Sequence, residues 1–382
     1  MNYDWGKLGK NSLVARLQND EVSETKPYAE LWAGAHPKAP AEILIDSKSS
    51  PLDEFLESNS VELLGANKKT LPFLFKALSI NTALSIQAHP DKKLAEKLHQ
   101  NDPSNYPDDN HKPEIAIALT EVELLYGFKP YLEIANAFKK VPELSRLVPH
   151  EFIQEFLKLG HGNPDTHKSL KKIYSAILNS SKSDIAFASE HLYERLKLKG
   201  APTPEAKWIL KLRDKFPEGD IGLYSFFLLN YERLLPAEAV FVEPNTPHAY
   251  LSGDLVECMA NSDNVVRAGL TTKFCDVETL SEMLSYRDCK VDKLEPVTVN
   301  GGWKQYQTPA EEFLVYKSYS SKCSVKDNKT LNILLSIDAE GELECEGEKH
   351  RVSTGSCYLI PASVAEFKLE ISGSLFRATS NF

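Results

Sequence analysis

Apolar and polar residues alternate along much of the chain up to about residue 125, and glycine and proline interrupt the pattern often. A period of two is typical of strands that bury one face. We predict strands at residues 41–45, 83–89 and 113–119. Between the last two, Asp91 is a suitable N-cap for a short helix at residues 92–99.

The pattern changes between Tyr131 and Asn230, where apolar residues recur three and four positions apart. This spacing places them on one face of an α-helix. Pro204 stands directly before Glu205, an order typical of a first helical turn. The predicted helices span residues 131–140, 150–159, 167–179, 184–198 and 204–215.

Strand-type patterns return after Leu235 and continue to the last residues. We predict strands at residues 240–242, 331–337, 356–360 and 365–369. Many short strands with few βαβ units favour a sandwich or jelly roll over a parallel sheet. The fold class is therefore mainly β with an α-helical insertion, and we expect the β segments on either side of the insertion to close on each other.

Amino-acid composition and net charge exclude several classes of protein. The 382 residues are 42% hydrophobic and 26% charged, which is typical of a globular chain. No run approaches the ~20 apolar residues of a membrane span, and the first residues lack the apolar core of a secretory signal. The net charge of −10 argues against binding to nucleic acid or to an anionic membrane. We expect a cytoplasmic protein.

The cysteines all lie in the C-terminal third, and none forms a C-x-x-C pair. In a long chain this usage is typical of buried free thiols in a reducing compartment. The six are Cys258, Cys275, Cys289, Cys323, Cys345 and Cys357.

The first segment with side chains suited to binding or catalysis is the predicted strand that ends at His89. Ser85, Gln87 and His89 share one face of it, while Ile86 and Ala88 share the other. A polar face opposite an apolar one is also what a solvated surface strand shows, so this triplet alone does not establish a site.

The second segment runs from His111 into the next predicted strand. Lys112 and Glu114 share a face with Ala116 and Ala118, and small alanines beside charged groups leave room for a ligand. A lysine and a glutamate two positions apart on a strand are also common as a structural ion pair.

The third segment spans residues 240–273. His248 and Tyr250 share a face, Glu257 is predicted on a later strand, and Asp263 is predicted in a turn. Arg267 and Lys273 are predicted on one strand face together with Gly269 and Thr271. Arginine and lysine beside threonine indicate an anion site, although a solvated cationic strand edge has the same pattern.

Taken together, the three segments supply two imidazoles, a carboxylate and an amide oxygen. His89, Glu114 and His248, with Gln87 beside His89, suit a divalent first-row metal, with zinc the leading choice and an open position for a substrate oxygen. The spacing is not that of a compact zinc finger.

The sequence resembles the type I phosphomannose isomerases over nearly its whole length, most specifically in two long segments. The matching segments are NYDWGK (2–7), PYAELWAGAHP (27–37), LPFLFKALSINTALSIQAHPDK (71–92), YPDDNHKPEIAIALTEVELLYGFKP (106–130) and PHAYLSGDLVECMANSDNVVRAGLTTKF (247–274). The resemblance implies a cupin-type jelly roll with a helical domain inserted and a second jelly roll at the C-terminus. The corresponding domains are residues 1–129 with 231–290, residues 130–230, and residues 291–382.

The resemblance also implies the interconversion of mannose 6-phosphate and fructose 6-phosphate through an enediol, with one zinc ion per chain held by Gln87, His89, Glu114 and His248. It further implies that the protein supplies mannose 6-phosphate for GDP-mannose synthesis and glycosylation. We expect a monomer. The base that moves the proton stays open among Lys112, His111 and Glu257, and His111 could instead assist ring opening.

Further roles are expected for residues near the metal. Arg267 is our choice for stabilising the enediolate oxygens or holding substrate. The resemblance implies that Ser85, Lys76 and Lys273 contact the phosphate, and Tyr250 and Asp263 are expected to line the site with Glu257.

Two alternatives remain at the level of sequence. A cupin with two histidines and one carboxylate could hold iron and activate oxygen, but Gln87, Lys112 and Arg267 suit a phosphorylated sugar better. A sugar-phosphate binding protein without catalysis would have lost a ligand, Lys112 or Arg267, and all of them are present.

Overall fold

The structure is a computed structural model that describes residues 1–18, 21–65, 70–288 and 290–381. Its strands are β1 Lys7–Leu8, β2 Pro27–Tyr28, β3 Glu30–Ala33, β4 Glu42–Ile45, β5 Lys48–Pro51, β6 Phe73–Ile80, β7 Ile86–Ala88, β8 Glu114–Ala118, β9 Val122–Phe128, β10 Leu229–Leu234, β11 Ala239–Val242, β12 His248–Ala260, β13 Val266–Gly269, β14 Val297–Val299, β15 Trp303–Tyr306, β16 Leu314–Ser318, β17 Lys322–Val325, β18 Asn332–Ser336, β19 Glu340–Cys345, β20 Glu348–Val352, β21 Cys357–Ile360, β22 Phe367–Ser372 and β23 Leu375–Thr379. Its α-helices are α1 Leu13–Leu17, α2 Leu52–Leu64, α3 Lys92–Asn101, α4 Tyr131–Lys140, α5 Pro142–Arg146, α6 His150–Leu159, α7 Thr166–Leu178, α8 Lys182–Leu198, α9 Pro204–Leu212 and α10 Val277–Met283, and a 3₁₀ turn covers Ile221–Phe227.

The long strand β12 organises a nine-stranded unit built from both sides of the helical block. Its first residues pair with β7 and β9, and residues from Gly253 onward pair with β6 and β8. Gly253 lies at this change of partners with φ +113°, and an added Cβ would lie 2.5 Å from the carbonyl oxygen of Glu121. Only glycine fits such a corner without strain. The β segments before and after the helices therefore close on each other, as expected.

Successive side chains along these strands point to opposite faces of the sheet. Each side chain therefore lies either in the interior of the unit or in one of two outer layers. Ala116 and Ala118 of β8 lie in an interior cluster with Tyr250. Ile115 and Ile117 of the same strand point the other way, into a cluster shared with the C-terminal sheets. The faces predicted for β8 are thus confirmed, and the polar side of the strand faces the interior rather than solvent.

The helical block covers the opposite outer face of the nine-stranded unit. Ile86 and Ala88 of β7 pack in one cluster with residues of α4 to α9, such as Phe156 and Leu192. Burial of this apolar stripe is the main force that holds helices of this length in place. Helical residues therefore pack against the face of β7 opposite to Gln87.

The C-terminal residues form two facing antiparallel sheets, with strand orders β14-β15-β16-β23-β18-β21 and β17-β22-β19-β20. Trp303 and Leu334 of the first sheet share a core with Leu343 and Phe367 of the second. The other face of the six-stranded sheet packs on the nine-stranded unit. A mixed fold with several sheets and a helical insertion is confirmed.

Most predicted elements are present, with shifts of a few residues at their ends. The helix after Asp91 forms, and the Asp91 carboxylate accepts a hydrogen bond from the backbone of Leu94 at 3.0 Å. The predicted strand at residues 83–89 is shorter, β7 covering only its last part. The helices α1, α2, α5 and α10 were not predicted.

Two predictions of strand layout were wrong. Glu257 does not lie on a later strand than His248, because β12 runs through Gly253 without a break. The strand that carries Arg267 ends at Gly269, so Thr271 and Lys273 do not share its face but lie in the bend that follows.

The described cysteines carry free thiols, as predicted, but they are not all buried. Cys258 and Cys323 are buried, Cys275 and Cys345 are partly buried, and Cys357 is exposed. The prediction for Cys289 lies outside the described residues. In the part of the chain that the structure describes, no helix has both the length and the apolar character needed to cross a membrane.

Candidate metal centre and active site

Three ligand-type side chains converge from three strand ends in the interior of the nine-stranded unit. His89 directly follows β7, Glu114 begins β8, and His248 begins β12. One ligand atom from each lies within 4.8 Å of the other two. Nε2 of His89 is 3.4 Å from Glu114 Oε2, and Nε2 of His248 is 3.3 Å from Glu114 Oε1. All three side chains are buried, so residues far apart in sequence form one cluster.

Backbone carbonyls set the orientation of both imidazoles. Nδ1 of His89 is 2.9 Å from the carbonyl oxygen of Asn264, and Nδ1 of His248 is 3.0 Å from that of Thr246. A carbonyl only accepts hydrogen bonds, so each Nδ1 carries the hydrogen and each Nε2 keeps its lone pair. Both lone pairs are directed toward Glu114, and second partners of this kind are typical of metal-binding histidines.

Two buried atoms of the cluster have no hydrogen bond. They are Oε2 of Glu114 and Nε2 of His248. Buried acceptors without partners are costly, and both atoms are ligand types that zinc prefers. The residues present therefore fit a divalent cation.

The ionisation of the cluster also fits a cation. Burial, followed by the charge of Lys112, lowers the pKa of His89 to about 4. Burial favours the neutral form of Glu114, but Lys112 and the neighbouring imidazoles outweigh it and lower the pKa of that carboxyl well below its usual range. At neutral pH the imidazole of His89 is neutral and Glu114 is charged, which are the states that bind metals.

Gln87 lies next to the cluster by strand register. It is the Cα partner of His248 on β12 and of Arg267 on β13. Directly paired residues of an antiparallel ladder project to the same face. The amide of Gln87 therefore belongs to the same side of the sheet as the three ligands.

Lys112 brings a positive charge into direct contact with the cluster. Its Nζ is 3.2 Å from Glu114 Oε2 and 3.5 Å from His89 Nε2, and the side chain is buried. The pair predicted from the strand pattern is thus present, and it lies within the metal-type cluster.

A second cluster of buried charged residues lies on strands β3, β6 and β12. Nζ of Lys76 is 2.9 Å from Glu257 Oε2 and 3.8 Å from Glu30 Oε2. Burial opposes the charged ammonium, but Glu257 and Glu30 outweigh it and raise the pKa of Lys76. Burial raises the pKa of Glu257, a shift that Lys76 opposes. Lys76 and Glu257 thus form a buried ion pair.

Tyr250 connects the strand β12 to the cluster. Its hydroxyl donates to Glu114 Oε1 at 2.9 Å. Burial, followed by the charge of Glu114, raises the pKa of Tyr250 well above its usual value. The phenol therefore stays protonated and holds the carboxylate in place.

Arg267 is a partly buried cation without a counterion. Its guanidinium forms no ion pair and no hydrogen bond with any described residue, and burial lowers its pKa. Its register partner Gln87 places it beside the ligand cluster. A guanidinium in this state is available to an anionic or oxygen-rich ligand.

The predicted phosphate contacts differ in exposure. Ser85 is partly exposed just before β7, Lys273 is exposed in the bend after β13, and Lys76 is buried with Glu257.

Asp263 lies in a separate polar network beside the site. Its carboxylate is 2.9 Å from Lys38 Nζ and 3.5 Å from His36 Nε2. A cavity of about 930 Å³ opens here, lined in part by His36, Asp263 and Glu312.

The contact between His111 and Glu312 was not predicted from the sequence. Nε2 of His111 is in hydrogen-bond contact with Glu312 Oε1, across 201 positions of sequence. Glu30 and Asn264 also have roles that the patterns did not indicate. These contacts arise from tertiary packing, and no local spacing signals them.

Two family patterns match the chain. The one described as "Phosphomannose isomerase type I, catalytic domain" matches residues 1–131, and the one described as "Phosphomannose isomerase type I, helical insertion domain" matches residues 147–229. The chain is 39% identical over 399 residues to the mannose-6-phosphate isomerase of Candida glabrata, covering 95% of this chain and 92% of that protein. It is 46% identical over 300 residues to the mannose-6-phosphate isomerase of Homo sapiens, covering 74% and 71%.

Solved structures show the same architecture. A crystal structure of mannose 6-phosphate isomerase bound with zinc and yttrium superposes with a TM-score of 0.88 at 28% identity, covering 100% of this chain and 97% of that one. A zinc-bound holo structure of mannose 6-phosphate isomerase matches with the same values. The likeness extends over the nine-stranded unit, the helices and the C-terminal sheets.

Proposed function

We propose that this chain, which belongs to the type I phosphomannose isomerase family, interconverts mannose 6-phosphate and fructose 6-phosphate through an enediol. The observation that carries the proposal is the buried cluster of His89, Glu114 and His248, two of whose acceptor atoms have no hydrogen bond to a described residue. The relatives named above are mannose-6-phosphate isomerases, and the matching zinc-bound structures are also of mannose 6-phosphate isomerase, which supports the same activity here.

We propose that one zinc ion is held by Gln87, His89, Glu114 and His248. The orientation of both imidazoles by backbone carbonyls and the register of Gln87 support this ligand set. When bound, the ion would act as a Lewis acid toward substrate oxygens.

The residues around the cluster would bind substrate and move its protons. The reaction removes a proton from the carbon beside the carbonyl and returns it to the neighbouring carbon, which needs a base near the sugar. Among the three candidate bases, Lys112 contacts the cluster directly, at 3.2 Å from Glu114. Glu257 is paired with Lys76, and His111 is paired with Glu312. Because of its contact with the cluster, Lys112 is assigned as the base, and His111 is assigned to ring opening.

Arg267 would neutralise charge that develops on the sugar. An enediolate carries negative charge on its oxygens, and preorganised donors stabilise such charge most effectively where water is excluded. Arg267 is suited to this because no described carboxylate already occupies it. Ser85 and Lys273 remain the proposed phosphate contacts; Lys76 remains a third, although Glu257 already engages its ammonium. Tyr250 and Asp263 would line the site.

We further propose a cytoplasmic monomer that acts on small sugar phosphates and binds neither nucleic acid nor membrane. The net charge of −10 supports the last two points, because it would repel polyanions.

The direct test is a coupled assay in which the purified, zinc-loaded chain is given mannose 6-phosphate and fructose 6-phosphate is measured. We expect turnover, together with loss of activity when His248 is replaced by alanine. A correctly folded, zinc-loaded chain that shows no turnover would overturn the proposal. Oxygen consumption by the same chain loaded with iron(II) would favour the iron-dependent alternative.

A further inference from the structure

A carboxylate from the C-terminal sheets reaches the segment that enters the metal cluster. Glu312 lies just before β16, and its Oε1 contacts Nε2 of His111. His111 is adjacent to Lys112 and three positions before Glu114. The side chains of Glu312 and His111 are 15% and 27% exposed, so solvent screens this pair only in part.

The contact determines which nitrogen of His111 carries a hydrogen. Burial favours the neutral form of Glu312, but the hydrogen bond and charge of His111 outweigh it and lower the pKa of that carboxyl. Glu312 is therefore ionised at neutral pH and can only accept a hydrogen bond. Nε2 of His111 must be the donor. In the neutral imidazole, Nδ1 then has the free lone pair, and it has no hydrogen bond to any residue that the structure describes.

The hydrogen bonds of the Glu312 carboxylate differ from those expected of a residue with a purely structural role. Its second oxygen, Oε2, is buried and has no hydrogen bond, although structural carboxylates usually satisfy both oxygens. The residue also lines the cavity of about 930 Å³ beside His36 and Asp263. The carboxylate thus contacts one imidazole at the edge of a cavity, and the backbone of Glu311 and Glu312 also helps to lower its pKa.

We propose that Glu312 is a positioning residue of the active site, which holds His111 as the Nε2–H tautomer with Nδ1 free to accept a proton. The proposal rests on the proposed function and assigns His111 to ring opening. Nδ1 takes the proton of the O1 hydroxyl, O1 forms the carbonyl as the C1–O5 bond breaks, and the same proton passes from Nδ1 to O5. Glu312 stabilises the imidazolium between the two transfers, as a carboxylate does for histidine in other catalytic pairs.

The experiment compares Glu312→Gln with a control that removes another contact between the same two units. The hydroxyl of buried Tyr306 donates to the carbonyl oxygen of Ala237 at 2.9 Å, so Tyr306→Phe removes one interdomain hydrogen bond away from His111. For each variant, kcat, KM, zinc content and melting temperature are measured. We expect Glu312→Gln to lower kcat at least about tenfold with KM and zinc content unchanged. Tyr306→Phe should leave kcat unchanged.

Two further variants separate positioning from stability. Glu312→Asp keeps the charge and should retain more activity than Glu312→Gln. In a His111→Gln background, Glu312→Gln should have no further effect on kcat, because a residue that acts through His111 loses its role with it.

The outcomes of these measurements test the positioning role of Glu312 and the proposed function separately. Equal kcat for wild type, Glu312→Gln and Tyr306→Phe would overturn the positioning role while the isomerase assignment stands. Independent, multiplicative losses in the double variant would also overturn it. A wild-type chain without isomerase turnover would overturn the proposed function, and this proposal with it.

Discussion

At the scale of single residues, Arg267 differs from the other cations near the metal-type cluster. Lys112 contacts Glu114 and Lys76 contacts Glu257, whereas Arg267 has no such partner among the described residues. A partly buried guanidinium without a counterion carries a desolvation cost that a bound ligand can offset. This explains why we assign Arg267 to the substrate rather than to the fold.

Arg267→Ala is expected to lower kcat by about 10²- to 10³-fold, the usual loss when a donor to developing negative charge is removed. Zinc content and melting temperature should stay near the wild-type values, because the side chain holds no other group. Steady-state kinetics with metal analysis checks this. Arg351→Ala, on exposed β20, is the control and should be fully active. Unchanged turnover in Arg267→Ala would remove Arg267 from the mechanism.

The three ligands of the cluster could be predicted from the sequence, but their second partners could not. Two imidazoles and a carboxylate are rare enough near strand ends to stand out, and the structure brings His89, Glu114 and His248 together. Glu312 carries no such signal, because an acidic residue in a loop is usually solvated. Its role depends on a contact across 201 positions, which follows only from the packing of the two β units.

At the scale of elements, one carboxylate joins the helical block to the strands. Glu123 on β9 accepts hydrogen bonds from Trp208 of α9 at 3.0 Å, from Ser252 at 2.6 Å and from Tyr231. Burial opposes ionisation, but these donors outweigh it and lower the pKa of Glu123. The charged form is therefore favoured in the folded state.

Glu123→Gln is expected to destabilise the fold at pH 7 by about 1–2 kcal/mol, since hydrogen bonds to a charged group are lost or weakened. Because the folded-state pKa is lowered, the stabilisation is present above the unfolded value of about 4.5 and is lost as the pH falls through the folded value. Melting temperatures from pH 7 to pH 4 check this. A gap between variant and wild type that widens toward pH 4 would contradict it.

Gly253→Ala tests the corner at which β12 changes partners. The new Cβ would meet the carbonyl oxygen of Glu121 at 2.5 Å, and φ is +113°. Gly347→Ala is the control, since its φ is +85° but no atom lies within 4 Å of its added Cβ. We expect a loss of about 1–3 kcal/mol at Gly347 from backbone strain alone, and more at Gly253. Thermal unfolding measures both, and equal losses would argue against a steric corner.

The same corner explains one error of sequence-based prediction. Glu257 was predicted on a later strand than His248, and Ser252, Gly253 and Asp254 between them are residue types common in turns. The chain instead passes through the glycine and continues as β12. The longer helices of the block were predicted because their apolar residues recur at helical spacing, whereas α2 contains a kink at Asn59 that interrupts its helical pattern.

At the scale of the whole molecule, the two β units share an apolar core. Leu335 and Phe376 of the C-terminal sheet pack in one cluster with Phe75 and Ile117 of the nine-stranded unit. A continuous core of this kind couples the unfolding of both units. It also holds Glu312 against His111.

Leu335→Ala is expected to cost about 2–5 kcal/mol, the usual range for a fully buried leucine. Calorimetry should show that the unfolding of both β units shifts together. The control Leu198→Ala removes a side chain that is 87% exposed and should change stability by less than about 0.5 kcal/mol. Separate transitions, with only the C-terminal one shifted, would contradict a shared core.

The measurement that tests the account most directly is isomerisation of mannose 6-phosphate before and after metal removal. The chain is stripped with a chelator, assayed, and assayed again with added zinc, and the bound metal is counted. We predict no turnover in the metal-free chain, recovery with zinc, and about one zinc ion per chain. Full turnover in protein shown to be free of metal would contradict the role assigned to His89, Glu114 and His248.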